Sequence, residues 1–201
     1  MPNFQTRIKA IQQLQPLSEA QLVIAPLVHF ASLGKLETLK PHMVKALSLG
    51  WNLSQLQEVC LQIYPFAGFP RALNALTTLE QVAKELNLEY PQPRGKAYQQ
   101  ELNYYALGEQ IFSTLCQIPT PEYLQNFAGI DTALKAHLFG YLFARSELSP
   151  VNRELVAVAT LASLEHLEPQ LRGHMQILRN LGISSKDLEL YLGQIKQEVL
   201  S

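Results

Sequence analysis

Apolar residues recur along this chain at three- and four-residue spacing, and the strict alternation of a half-buried strand is nearly absent. The pattern predicts helices almost throughout. Ser18 caps one that runs through LVIAPLVHFASL and stops at Gly34, with Pro26 predicted to kink it. The next helix has Pro41 near its start and ends at Gly50. Ser54, followed three residues later by Gln57, reads as a capping box opening QLQEVCLQIY. PFAGFP then turns the chain into RALNALTTLEQVAKEL. LEYPQPRGKA, at 88–97, is rich in turn formers and poor in apolar residues, which predicts a linker. Helical pattern resumes in YQQELNYYALGEQIFSTLC. Thr120-Pro121 and Ser149-Pro150 each start a helix with proline in the first turn. Pro169 opens QLRGHMQILRNL, which Gly182 closes, and Ser184 with Asp187 caps the last helix.

The two halves of the pattern repeat each other. LKPHMVKALSLG (39–50) lies over LRGHMQILRNLG (171–182) without a gap, so that Leu39, His42, Met43, Leu49 and Gly50 match Leu171, His174, Met175, Leu181 and Gly182. Upstream, with a one-residue slip, Leu17-Ser18 lies over Leu148-Ser149. Cap, stripe and stop glycine stay in step, as an internal duplication requires. The expected organisation is a first unit at 1–87, the linker at 88–97 and a second unit at 98–201, packed as one body. Leu171, His174, Leu178 and Leu181 share one helix face, as do Leu39, His42, Ala46 and Leu49, so each histidine sits in an apolar stripe.

Composition narrows the possible functions. Of 201 residues, 47% are apolar, enough for a real core, and only 16% are charged, which points to surface hidden against other copies of the chain. The formal net charge is -1 with no basic stripe, which argues against a nucleic-acid partner. The longest apolar stretches, such as Leu22 to Val28, fall far short of the ~20 residues of a membrane span. The amino-terminal stretch lacks the apolar centre of a secretory signal, and Cys60 and Cys116 suggest free thiols rather than a disulfide framework. A cytoplasmic protein is the expectation. No His-x-x-x-His pair, acidic cluster or glycine-rich phosphate loop is present, so neither metal nor cofactor is expected.

The stretch LSPVNRELVAVATLASLEHLEPQLRGHMQILRNLGISSKDLEL (148–190) resembles the carboxymuconolactone decarboxylase family, whose wider group includes alkyl hydroperoxidase D. Arg153-Glu154, the Leu171 to His174 element and Gly182 fit the family's order and spacing, and FGYLFARSELS resembles its lead-in. Residues 42–76 of the first half are similar to the later part of the family's domain. The resemblance implies an all-α, alkyl hydroperoxidase D-like helical bundle, here in tandem form. It also implies self-association, in which a trimer would mimic a hexamer of single units. The hydroperoxidase branch carries a Cys-x-x-Cys pair just before the histidine. Here those positions are Leu167 and Gln170, and Lys35 and Thr38 in the first half, so a dithiol relay has no thiols to work with.

Three residues carry the expected chemistry. His174, held in an apolar stripe, is a candidate general acid/base. Glu154 borders the stripe of its own helix and is the candidate partner that orients the imidazole. Arg153 is a candidate clamp for a substrate carboxylate. Treated as a simple hairpin turning near 166–168, the two helices would leave Glu154 and His174 out of step by ~10 Å, so the pair meets only if the helices cross steeply or a second subunit supplies one partner. His42 repeats the position without an acidic neighbour and reads as a packing residue. His29 and His137 sit in apolar runs, His166 near a turn, and Tyr104-Tyr105 and Phe66 to Phe69 read as core or interface. The family's decarboxylase branch implies a cofactor-free lyase acting on a small carboxylated lactone or related acid. The alternatives are a non-catalytic or stress-related helical scaffold and a peroxidase-like activity through Cys60 or Cys116 alone.

Overall fold

The computed structural model describes residues 16–90, 102–119, 121, 124 and 126–200, and these hold helices and no strand. The helices are α1 (Glu19–Leu22), α2 (Ile24–Leu33), α3 (Leu36–Ser48), α4 (Leu53–Ala67), α5 (Phe69–Glu85), α6 (Tyr104–Cys116), α7 (Ala128–Thr132), the π-helical α8 (Ala133–Phe143), α9 (Pro150–Ser163), α10 (Glu168–Asn180) and α11 (Ser185–Leu200). Most of the 88–97 segment lies outside the described residues, as does Thr120, while Pro121 is described and is not helical. The described part of the YQQELNYYALGEQIFSTLC stretch is helical from Tyr104, which Asn103 caps.

Local chemistry sets the boundaries. Ser18 and Gln21 form a reciprocal capping box, yet the helix breaks at Val23 before α2 begins. Pro26 explains the place: its ring lacks an N–H and crowds the carbonyl four residues back, at Leu22. Gly34, at φ 73°, ends α2. The predicted Ser54–Gln57 box is two residues late, because Asn52 and Gln55 form the box and α4 starts at Leu53. Asn52 is as good a cap as serine, and the earlier start brings Leu53 and Leu56 into the core. Pro41 stands inside α3 rather than near its start. Ser149 and Ser184 cap α9 and α11 as expected.

The core is continuous across both halves and centres on α2 and α9. The helices equated by the sequence repeat pack in equivalent ways. α2 packs on α3 and α9 on α10; across the halves, α9 packs on α4 and α2 on α11, while α2 and α9 lie against each other. Polar bonds tie this centre together: Gln21 of α1 donates to Asn152 of α9 at 3.0 Å, and His29 Nδ1 of α2 lies 2.9 Å from the Ser163 hydroxyl of α9. α6 and α8 form a close hairpin beside this centre. A Cβ on Gly108 would fall 1.7 Å from the Lys135 carbonyl oxygen, and one on Gly140 would fall 2.0 Å from that of Tyr104, so the contact requires glycine at both places.

Candidate functional site

α9 is enclosed on nearly every side, with each residue from Arg153 to Leu161 buried. Consecutive residues on a helix point ~100° apart, so Arg153 and Glu154 face different neighbours. Glu154 faces α10. Its Oε2 lies 2.7 Å from His174 Nδ1, within one chain, so the offset expected of a simple hairpin does not keep the pair apart. An ionised carboxylate only accepts hydrogen bonds, so Nδ1 carries the donated proton and Nε2 keeps its lone pair in the neutral ring. Glu154 is fully buried, the His174 side chain is 13% exposed, and Nε2 has no protein partner among the described residues. Phe66, from α4, sets its ring edge-on to the imidazole with centroids 5.2 Å apart. Glu154 Oε1 is buried and accepts no hydrogen bond. One ring nitrogen is therefore fixed by a buried acid and the other is open for proton transfer.

Arg153 does not join this pair. Its guanidinium is fully buried and faces α4, where it donates to Glu58 Oε2 at 2.9 Å and Gln62 Oε1 at 3.0 Å, and back to the Arg145 carbonyl. The carboxylate that Arg153 meets is Glu58 of its own chain, which it shares with Arg145; the guanidinium has no exposed surface, and its Nε has no hydrogen-bond partner among the described residues. Arg145 also holds Glu58, through Nε at 3.0 Å to each carboxylate oxygen and through a further bond from NH2. Burial pushes the Glu58 carboxyl up, but the Arg145 hydrogen bond and the Arg153 charge outweigh it and hold it below the usual carboxylate range. Glu58 and Gln62 are four residues apart within a buried stripe of α4, a spacing that could have revealed this ion-pair site in the sequence.

The remaining candidates take structural positions. His42 stacks on Phe30 at 5.1 Å, and Val23 occupies the first-half position matching Glu154. His137 lies between Tyr64 and Tyr141, and burial pushes its imidazole down. His166 adopts φ +62° in the turn before α10. Cys60 is fully buried and burial raises its thiol to about 12. A second polar group, not anticipated from sequence, lines a cavity of about 580 Å³ between α6 and α7–α8. There Tyr105 donates to Asp131 at 2.6 Å, and Lys135 reaches Tyr105, Glu109 and Asp131 at 3.1–3.2 Å. Burial would lower the Lys135 ammonium, but these partners hold it above its ordinary range, and it offsets one of the two negative charges that Asp131 and Glu109 bring. Among the described residues no His, Cys, Asp and Glu cluster could hold a metal ion, and no helix is long and apolar enough to cross a membrane.

Fold and site together define an all-helical protein built around a glutamate–histidine pair on adjacent helices. Residues 129–195, which contain that pair, match the model of the carboxymuconolactone decarboxylase family. The chain is also similar to Peroxisomal protein 2 of Saccharomyces cerevisiae (strain ATCC 204508 / S288c), at 25% identity over 167 residues. The likeness covers 70% of this chain and 59% of that relative's length.

Proposed function

We propose that this protein is a cofactor-free acid/base enzyme of the decarboxylase type, acting on a small carboxylated lactone or related acid. The observation that carries the reading is the 2.7 Å bond between fully buried Glu154 and the partly open His174. Glu154 fixes the ring and its tautomer, so that Nε2 faces the substrate. Breaking the carbon–carboxylate bond releases carbon dioxide and leaves the electron pair on the conjugated system. Protonated His174 delivers a proton from Nε2 to carbon, and solvent restores it. Arg153 acts only by positioning α9 through Glu58.

Nitrogen-15 spectra of the imidazole test the geometry. The expected wild-type pattern is a protonated Nδ1 and an unprotonated Nε2, and Glu154→Gln should weaken that preference. A panel of lactone acids and keto acids tests the chemistry. His174→Gln should lower turnover by ~10²-fold or more while the unfolding midpoint stays in place. Loss of stability with no turnover in either protein would favour the second reading, a helical scaffold. Val23 and the Phe30-stacked His42 support that reading for the first half.

The matched packing of α2–α4 and α9–α11 supports a duplication, with units at 1–87 and 98–201. We also propose self-association, as a trimer imitating a hexamer. Low charge content and the exposed Phe69 and Leu73 on α5 favour it, and sedimentation equilibrium tests it. For location, the sequence favours the cytoplasm and the relative's name favours the peroxisome, which a fluorescent fusion would separate.

A further inference from the structure

The cleft between α6 and α7–α8 shares no residue with the Glu154–His174 pair, and the sequence builds its polar part from two pairs at i, i+4 spacing. Tyr105 and Glu109 lie one turn apart on α6, and Asp131 and Lys135 one turn apart across the α7–α8 junction. The close approach at Gly108, where a Cβ would strike the Lys135 carbonyl oxygen, holds the two pairs against each other. Asp131 and Lys135 form a buried floor, while Glu109, Ala128 and Thr132 are exposed at the mouth. The donors of this cluster all turn inward. The three N–H groups of the Lys135 ammonium face Tyr105 Oη at 3.2 Å, Glu109 Oε1 at 3.2 Å and Asp131 Oδ1 at 3.1 Å, and Tyr105 gives its one O–H to Asp131 Oδ2 at 2.6 Å. No donor is left over for an anionic ligand. Acceptor capacity is left over instead. Lys135 with Asp131 and Tyr105 is already a charge-matched set, which is all that burying a lysine requires. Glu109 brings a second carboxylate, so the cluster keeps a surplus negative charge, and it does so on a side chain that is 52% exposed. Its Oε2 accepts no hydrogen bond among the described residues. The walls add carbon surface, from Pro119 and Ala128, with exposed Ile118 and Phe127 next to them in the chain. A volume of about 580 Å³ is in the range of a small-molecule site.

We propose that this cleft binds a small organic cation, a primary ammonium on a short apolar body, as a second site independent of the acid/base reading. The ammonium docks on the exposed Glu109 carboxylate and donates to the Thr132 hydroxyl oxygen at the same mouth. Lys135 fixes the carboxylate through Oε1 and leaves Oε2 for the ligand. The hydrocarbon part lies along Pro119 and Ala128, which removes apolar surface from water. Specificity follows from the same inventory. A carboxylate meets only acceptors, a neutral alcohol forms no charge-assisted pair, and a doubly charged cation exceeds the single surplus charge.

Titration of the full-length protein with n-butylammonium chloride, followed in carbon-13 methyl spectra, tests this. The Ala128 and Thr132 methyl signals should move along one saturable curve in the millimolar range expected of so small a ligand. Sodium butyrate and n-butanol at the same concentration, with ionic strength held by sodium chloride, should leave them in place. Glu109→Gln should weaken n-butylammonium binding by about tenfold or more, as loss of the charge-assisted partner requires. Should that variant also lower the thermal midpoint, Ala128→Lys decides: it sets a positive charge at the mouth without touching the Lys135 cluster, and the Thr132 signal should then report equally weakened binding. Shifts that do not saturate, equal shifts with n-butanol or with sodium chloride alone, or undiminished affinity in the deciding variant overturn the proposal. None of these readouts uses a His174 signal, so failure of the acid/base reading, seen as a His174 tautomer indifferent to Glu154→Gln, is distinguished from failure here.

Discussion

Glu58 stands between two guanidinium groups, with side-chain exposures of 6% for Glu58, 9% for Arg145 and 0% for Arg153. Replacing it with Gln leaves two buried cations without a counter-charge. The expected loss is about 3–5 kcal/mol, the usual cost of breaking a buried ion pair from one side, measurable by urea denaturation. The pH dependence has a definite sign. The folded-state carboxyl is held below its unfolded value, so its contribution is present above about pH 4 and is lost as pH falls through the folded value. Wild type should therefore lose stability in acid over that window, and Glu58→Gln should show a flatter acid limb. At this scale the histidine and glutamate were legible, because a polar residue in or beside an apolar stripe demands a partner. The fate of Arg153 was not: neighbours in sequence diverge by ~100° on a helix, and only packing decides which faces α4 and which faces α10.

Between elements, the α6–α8 contact makes a sharp test of backbone approach against helix propensity. Alanine is the better helix former by about 1 kcal/mol, which alone would make Gly108→Ala and Gly140→Ala stabilising. The new Cβ atoms would instead meet backbone oxygens at 1.7 Å and 2.0 Å, which cannot swing aside as a side chain does. Each substitution should cost roughly 1–3 kcal/mol by overpacking, seen as a lower thermal midpoint. Element boundaries were readable wherever one cap residue competed alone, as at Ser149 and Ser184. They slipped at Asn52-Leu53-Ser54, where two cap-and-glutamine pairs overlap and core burial selects the earlier. The π-helical winding of α8 had no sequence signal, since ALKAHLFGYLF is apolar nearly all round and carries no stripe that would fix its period.

Across the whole molecule, each half is completed by the other: α4 covers α9, α11 covers α2, and Phe66 of the first half reaches His174 of the second. A fragment of residues 98–201 lacks Glu58 and Phe66 and leaves Arg153 without its counter-charge. It should show no cooperative thermal transition by circular dichroism, while the intact chain unfolds in one. The duplicated pattern was visible in sequence through caps, stripes and stop glycines, which are local signals. The exchange of helices between halves was not, because it depends on contacts nearly a hundred residues apart.

That separation sets a timetable for synthesis. Glu58 and Arg153 are 95 residues apart in the chain, and ribosomes add roughly 5–20 residues per second. The carboxylate therefore emerges about 5–19 s before Arg153, the later of the two guanidiniums that hold it inside the fold. During that interval α4 carries an acid on the face it must later bury, and an unpaired charge opposes burial. The nascent chain therefore leaves the apolar stripe of α4 uncovered until α9 arrives. A ribosome-bound chain stalled before Arg153 should bind a general holdase chaperone, and one stalled after α11 has cleared the exit tunnel should have released it.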